Sequence, residues 1–149
     1  MSARAKAFAI IIGAAIIAAF DALFKWIAIS QLPDADATTG LFLRFALHKN
    51  PGITFDINIP LGLIAVLTVI IASFLIYYAK KHYKNNPILS AFALCILLGA
   101  LNNFLDRIIN GFTTDYIILF NLSAINLSDI LILIGTAALL SYSNRKEHR

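Results

Sequence analysis

Charge is scarce in this sequence. Twelve Lys or Arg and eight Asp or Glu make up 13% of its 149 residues, against about 25% in ordinary globular proteins. The aqueous surface of a soluble fold this small needs more charge than that, so the composition argues against a water-soluble enzyme. Cysteine is nearly absent: a single Cys95 excludes an internal disulfide and a Cys-based metal cluster. There is no Gly-rich phosphate loop, no paired His at metal spacing and no Gly-x-Ser-x-Gly turn, so neither a cofactor nor a metal is expected. His48, His82 and His148 are scattered. No internal repeat, low-complexity tract or second domain interrupts the chain, and residues 1–149 read as one membrane-embedded unit.

What is present in excess is apolar. The hydrophobic share is 60% and the mean hydropathy +0.81, which place the chain among membrane proteins. The first apolar stretch runs from about residue 7 to 29, long enough at ~1.5 Å per residue to cross a ~30 Å hydrocarbon core. It follows Arg4 and Lys6 like a signal peptide, but Phe20 before the polar break at Asp21 is a poor cleavage residue, so a retained anchor is expected. Further spans are expected at about 59–79, 87–105 and 126–143, the last carrying Asp129 near its start. Cys95 lies mid-span, where it reads as a small hydrophobe. Trp26 and Tyr77-Tyr78 fit an interfacial aromatic belt.

The basic residues give the orientation. Arg4, Lys6, Lys80, Lys81, Lys84, Arg145, Lys146 and Arg149 fall at the N-terminus, the second-to-third loop and the C-terminus. Four spans place those three regions on one side, the cytoplasm by the positive-inside rule. The net charge of +4 is thereby explained by topology, with no nucleic acid as partner. All seven aspartates belong to the opposite half. Two outer segments remain, about 30–58 and 106–125. In the first, the alternating Leu41–Leu47 stretch and the Asn50-Pro-Gly52 turn signal predict a small extracytoplasmic sheet on the bundle. The expected fold is thus an all-α membrane protein of four transmembrane helices with a small β-rich outer segment.

Carboxylates near hydrocarbon are costly and usually mark a functional path. Asp21 and Lys25 are four residues apart, share a helix face and can pair, which favours a helix-orienting role over catalysis. Asn103, Asp106 and Arg107 crowd one face where the third span meets the interface, which favours a structural role for Asp106 and leaves Arg107 to snorkel or to bind an acidic or carbonyl group. Asp115 and Asp129 differ, having no adjacent base. If the third and fourth spans are antiparallel neighbours, the two carboxyls meet at similar depth and cannot both ionise easily. Such a dyad can activate water and protonate a leaving amine, the chemistry of aspartic proteases. In the plainer reading, Asp129 caps the fourth helix and Asp115 stabilises a turn.

Taken in order, these residues resemble the lipoprotein signal peptidases, the bacterial signal peptidase II family. The matching elements are Asp21 with Lys25-Trp26, Asn50-x-Gly52-x-x-Phe55, Gly99-x-x-x-Asn103-x-x-Asp106-Arg107, Gly111-x-x-x-Asp115-Tyr116 and Asn126-x-x-Asp129. The resemblance covers nearly the whole chain. It implies an aspartic endopeptidase of the inner membrane that removes the signal peptide from prolipoproteins, cutting before a diacylglyceryl-modified cysteine near the outer face. It implies Asp115 and Asp129 as catalytic residues, with Asn50, Gly52, Asn103, Arg107 and Asn126 holding substrate or catalytic groups and Asp21, Lys25 and Asp106 supporting the site. Partners are then lipid-modified prolipoproteins and membrane lipids, both termini are cytoplasmic, and a monomer is expected. Cyclic peptide inhibitors of the family occupy the site between its two aspartates.

The chain departs from the family pattern at Thr54, Asn102, Ile125 and Ser128, where Ala, Gly, Phe and Ala are usual, and the stretch between Asp115 and Asn126 is short. Ser128 brings a hydroxyl beside Asp129, where it is expected to perturb the dyad. A second reading uses Asp21, Lys25, Asp106 and Asp129 as the relay of a small proton- or ion-coupled carrier. A relay needs polar groups through the bilayer centre, where the second and third spans offer only Thr68, Ser73 and Ser90 apart from Cys95. A third is an inactive homologue that binds lipidated peptides.

Overall fold

The computed structural model describes residues 1–35, 42–52, 59–120 and 122–147, with the side chains of 144–147 outside the description. Phe55, Thr54, Asp36, Asp56, Leu41, His148 and Arg149 lie outside the described residues. The elements run α1 (Ala3–Gln31), β1 (Leu43–Asn50), α2 (Leu61–His82), α3 (Pro87–Asn110), β2 (Thr113–Leu119), β3 (Ser123–Ile125) and α4 (Leu127–Glu147).

Helices α1, α2 and α3 are each long and apolar enough to cross a membrane, and α4 carries a shorter apolar stretch from Leu127 to Ser143. Their outer surfaces are apolar too: Phe8, Ile16, Phe20, Val66, Val69, Ile70 and Phe74 are all exposed. A helix that is apolar on every side suits hydrocarbon on one side and protein on the other. The basic residues Lys80, Lys81 and His82 close the last turn of α2, where cations complement the helix dipole.

Helix α3 is the central element, packing against α1, α2 and α4. In lipid, helices associate by close packing rather than by escape from water, and small residues permit it. Ala91, Ala93, Cys95 and Gly99 are accordingly buried along α3. Cys95 packs with Ala14 and Leu131, as the small hydrophobe expected of it. At the α3–α4 crossing two glycines remove the spacing a side chain would impose. A Cβ on Gly99 would stand 2.7 Å from the Ser128 carbonyl oxygen and 2.8 Å from Ile132 Cγ1, and one on Gly135 would stand 2.9 Å from Ile96 Cγ1. This approach brings the first turn of α4, which carries Asp129, against α3 beside Asn103.

The third helix continues past the expected end near residue 105, to Asn110. The expectation stopped the span at the first charge, but Asp106 and Arg107 find partners inside the bundle, so the helix runs on. It ends at Gly111, whose φ of 80° is the left-handed conformation of a helix C-cap, with its N–H bonded to the Arg107 carbonyl.

The three strands form one antiparallel sheet in the order β1-β2-β3. Its β1 lies in the first outer segment, as expected, while β2 and β3 come from the second, for which no strand was expected. Leu43 pairs with Leu119 and Asn50 with Thr113, with a register shift between Phe45 and His48. The segment after α1 ties the sheet to the bundle through Ala35 N–H to the Leu47 carbonyl and Leu47 N–H to the Pro33 carbonyl, both 2.8 Å. The short stretch between Asp115 and Asn126 is spanned by the β2–β3 pairing, in which Ile117 lies opposite Ile125.

The α3–α4 contact yields a direct test. Gly99→Ala is expected to cost about 1–3 kcal/mol of overpacking strain, seen as a lower thermal midpoint in detergent. Gly13→Ala, where a Cβ meets nothing within 4 Å, is expected to be neutral or to stabilise by about 0.5–1 kcal/mol.

Candidate active site

Among the described residues the largest fully buried side chains are polar: Asn126, Thr114, Asp21, Asp115 and Ser128. They gather where α1, α3, α4 and β2 meet. Buried polar groups must be bonded internally, and the bonds sort into a supporting cluster and a cleft.

The supporting cluster is built around Lys25. Its Nζ lies 3.1 Å from Asp21 Oδ2 and 3.4 Å from Asp106 Oδ2, and donates to Asn103 Oδ1 at 2.6 Å. The three donors of the ammonium thus have three acceptors. The expected Asp21–Lys25 pair is present, and Asp106 joins it from α3. Asp21 in turn accepts from Tyr116 Oη at 2.7 Å, the Leu127 N–H at 2.9 Å, Ser128 Oγ at 2.7 Å and Asn102 Nδ2 at 2.8 Å. One carboxylate of α1 therefore grips β2, α3 and α4. Burial, then the charge of Asp21, push the Tyr116 phenol well above its ordinary pKa and keep it a donor. Asp106 accepts from the Thr114 N–H at 2.6 Å, Thr114 Oγ1 at 3.1 Å and Asn110 Nδ2 at 2.7 Å. It pins β2 one residue before Asp115, the structural role expected of it.

Strand alternation does the rest. Thr114 and Tyr116 face the supporting cluster, so Thr113 and Asp115 face the other way, into a cleft of about 570 Å³. The cleft is lined by Asn50, Asn103, Arg107, Thr113, Asp115 and Asp129 together with apolar residues of α2 and α4, among them Ile64, Leu67, Ile71, Ile132 and Leu133. Asp115 lies within a strand, so the plainer reading in which it stabilises a turn is not what the chain does. The stretch Thr113-Thr-Asp-Tyr-Ile-Ile-Leu119 is rich in β-branched and aromatic residues, which is the strand signal in this segment.

Asn126 binds both carboxyl groups. Its Nδ2 donates to Asp115 Oδ1 at 2.7 Å, while its Oδ1 accepts the Asp129 N–H at 2.9 Å and its own N–H donates to Asp129 Oδ2 at 3.2 Å. The last two bonds form a capping box at the start of α4. Asp129 caps its helix, as the plainer reading had it, and lines the cleft as well. Asn50 Nδ2 reaches Asp115 Oδ2 at 3.2 Å, and Asn103 Nδ2 reaches Asp129 Oδ1 at 2.8 Å. Burial, then the charge of Asp129, raise Asp115 from 3.8 to about 7, against the pull of the Asn50 and Asn126 bonds and of His48. Two carboxyl groups are brought within mutual influence, and one holds its proton near neutral pH.

Arg107 spans the mouth. One guanidinium nitrogen donates to the Gly52 carbonyl at 2.8 Å and another to the Asn103 carbonyl at 3.3 Å. Gly52 N–H bonds back to Asn50 Oδ1 at 3.0 Å, closing the turn. Asn50, Gly52, Asn103, Arg107 and Asn126 are therefore all brought to the two aspartates, while Asp21, Lys25 and Asp106 lie behind them. The effect expected of Ser128 is not the one seen. Its hydroxyl points to Asp21 and accepts from Asn102 Nδ2 at 2.9 Å, so the two departures Asn102 and Ser128 satisfy one another. Spacing could not show this, because it depends on which side of α4 faces α1.

A family model described as signal peptidase (SPase) II matches residues 13–145. A lipoprotein signal peptidase of Halalkalibacterium halodurans is 28% identical over 143 residues, covering 91% of this chain and 92% of the relative. One of Acinetobacter baylyi is 35% identical over 126 residues, covering 78% of this chain and 70% of the relative. Two solved structures of bacterial membrane enzymes, obtained by the in meso method, share the fold. One at 2.3 Å resolution has a TM-score of 0.75 at 23% identity, covering 91% of this chain and 89% of that one. The other, at 1.9 Å, has a TM-score of 0.76 at 23% identity, covering 93% and 92%. The chain belongs to the signal peptidase II family.

Lys25→Met keeps the volume of the side chain and leaves Asp21 and Asp106 without their cation. Breaking a buried pair in this way is expected to cost about 3–5 kcal/mol, read as a lower thermal unfolding midpoint of the purified protein in detergent.

Proposed function

We propose that this member of the family is a membrane aspartic endopeptidase that cuts diacylglyceryl-modified prolipoproteins just before the lipidated cysteine, with Asp115 and Asp129 as its catalytic pair. The observation that carries the reading is the bridging of these two carboxyl groups by Asn126, whose side-chain amide donates to Asp115 and whose backbone N–H donates to Asp129, in a cleft that is polar at the pair and apolar along α2 and α4. A water between the pair is the nucleophile. Asp129, on the N-terminal turn of α4 where a negative charge is favoured, takes the proton of that water as its oxygen attacks the scissile carbonyl. Asp115 holds a proton near neutral pH and gives it to the developing oxyanion. Collapse of the tetrahedral intermediate breaks the C–N bond, the amine leaving with the proton that Asp129 had taken while one hydroxyl of the diol returns its proton to Asp115 and becomes the carbonyl of the new carboxyl group. The enzyme forms no covalent bond to substrate.

The apolar walls formed by Ile64, Leu67, Ile71, Ile132 and Leu133 fit the hydrophobic signal segment and the lipid, and Asn and Arg side chains at the polar end fit an extended peptide. All of these residues come from one chain, so a monomer suffices. By the placement of the basic residues both termini are cytoplasmic and the pair lies near the outer face of the inner membrane. The carrier reading gains nothing from the geometry, since Asp21, Lys25 and Asp106 are bonded to one another at one end of the bundle.

The test is cleavage of a diacylglyceryl-modified prolipoprotein peptide by the detergent-purified protein, beside an unlipidated peptide. Asp115→Asn and Asp129→Asn are each expected to lower turnover at least ~10³-fold, as loss of a general acid or base commonly does, while the protein stays folded. Asp34→Ala, with its 77% exposed side chain, is expected to retain activity. Turnover retained in either Asn variant would exclude the pair.

A further inference from the structure

We infer that Thr113 binds substrate in this cleft, its hydroxyl donating a hydrogen bond to a carbonyl oxygen of the substrate beside the bond that is cut. The inference rests on the peptidase reading and names a contact within the same site. Thr113 lines the cleft on the Asp115 face of β2. It is 2% exposed, and its Oγ1 is buried with no hydrogen-bond partner among the described residues. The neighbours on the opposite face, Thr114 and Tyr116, are by contrast bonded to Asp106 and Asp21. A buried hydroxyl without a partner costs stability, and valine would fill the same space in a strand without that cost. Such a group is explained if its partner arrives with the ligand.

A second unpartnered polar atom points to the nature of that ligand. Arg107 Nε is also buried without a partner among the described residues, while the other guanidinium nitrogens hold the Gly52 and Asn103 carbonyls. The two groups belong to one corner of the cleft, because Thr113 pairs with Asn50 in the β1–β2 register and Gly52 follows two residues later. A guanidinium only donates, and a hydroxyl can donate, so the ligand group that serves them is an acceptor, and in a peptide or a lipid ester that acceptor is a carbonyl oxygen. Residues on one face of a strand repeat every ~7 Å, as do alternate residues of an extended peptide. The carbonyl therefore lies about that far from the one Asp115 serves. A backbone carbonyl of the substrate and an ester carbonyl of its lipid share this chemistry.

The experiment compares the full-length wild type, Thr113→Val and Thr113→Ser on a diacylglyceryl peptide and on its ether-linked analogue, which lacks the ester carbonyls. Thr113→Val is expected to lower kcat/KM about tenfold, chiefly through KM, with an unchanged or higher melting temperature. Thr113→Ser, which keeps the hydroxyl, is expected to stay close to wild type. A loss on both peptides assigns the backbone carbonyl, and a loss on the ester peptide alone assigns the lipid. Thr113→Val cleaving both peptides like wild type overturns the inference, as does Thr113→Ser falling as far as Thr113→Val, or a lower melting temperature in Thr113→Val, which marks the residue as packing. Failure of the folded wild type to cut the ester peptide overturns instead the peptidase reading on which the inference stands.

Discussion

The Lys25 ammonium is the constraint on which the site depends. A lone cation in a helix end buried among apolar neighbours would be costly. Here its acceptors come from its own helix and from α3: Asp21, Asp106 and Asn103. Each acceptor has a second task. Asp21 holds Tyr116 of β2 and the first turn of α4, Asp106 holds the backbone of β2 at Thr114, and Asn103 holds Asp129. The position of both proposed catalytic carboxyl groups thus follows from satisfying one buried charge. Such a network specifies geometry more than it adds stability, since buried ion pairs recover little beyond their desolvation cost.

The cleft uses a different chemistry from its support. Behind it, charges pair with charges. At Asp115 and Asp129, the side chains that donate are asparagines. An amide orients a carboxyl group without supplying a full positive charge that would force it to ionise. The proton is then left to burial and to the neighbouring carboxyl group, which is how Asp115 comes to hold it near neutral pH.

Much of this was legible in residue spacing. The helix-face pair Asp21–Lys25, the polar face of Asn103, Asp106 and Arg107, the four apolar helices and the outer position of β1 all follow from periods of 3.6 or 2 and from charge in an apolar setting. The rest depends on contacts between residues far apart in the chain. Lys25 and Asn103 meet across the α1–α3 interface, and nothing local announces it. The hydroxyl of Ser128 lies next to Asp129 in sequence yet serves Asp21, because successive residues of a helix point about 100° apart. Helix α3 outran its apolar stretch for the same reason: charges that end a span when solvated continue it when they are paired inside the bundle. Strand β2 was missed because its two buried faces, one polar and one lining the cleft, give no alternation of apolar and polar residues.

The account turns on an Asp115 that keeps its proton beside Asp129, and an infrared titration of the purified protein reads this directly. The protonated carboxyl band of Asp115 should be present at pH 5 to 6, vanish as the pH rises through about 7, and be missing throughout in Asp115→Asn. A band that vanishes near the ordinary carboxyl range of about 4, or one that titrates near 7 and survives in Asp115→Asn, would contradict it.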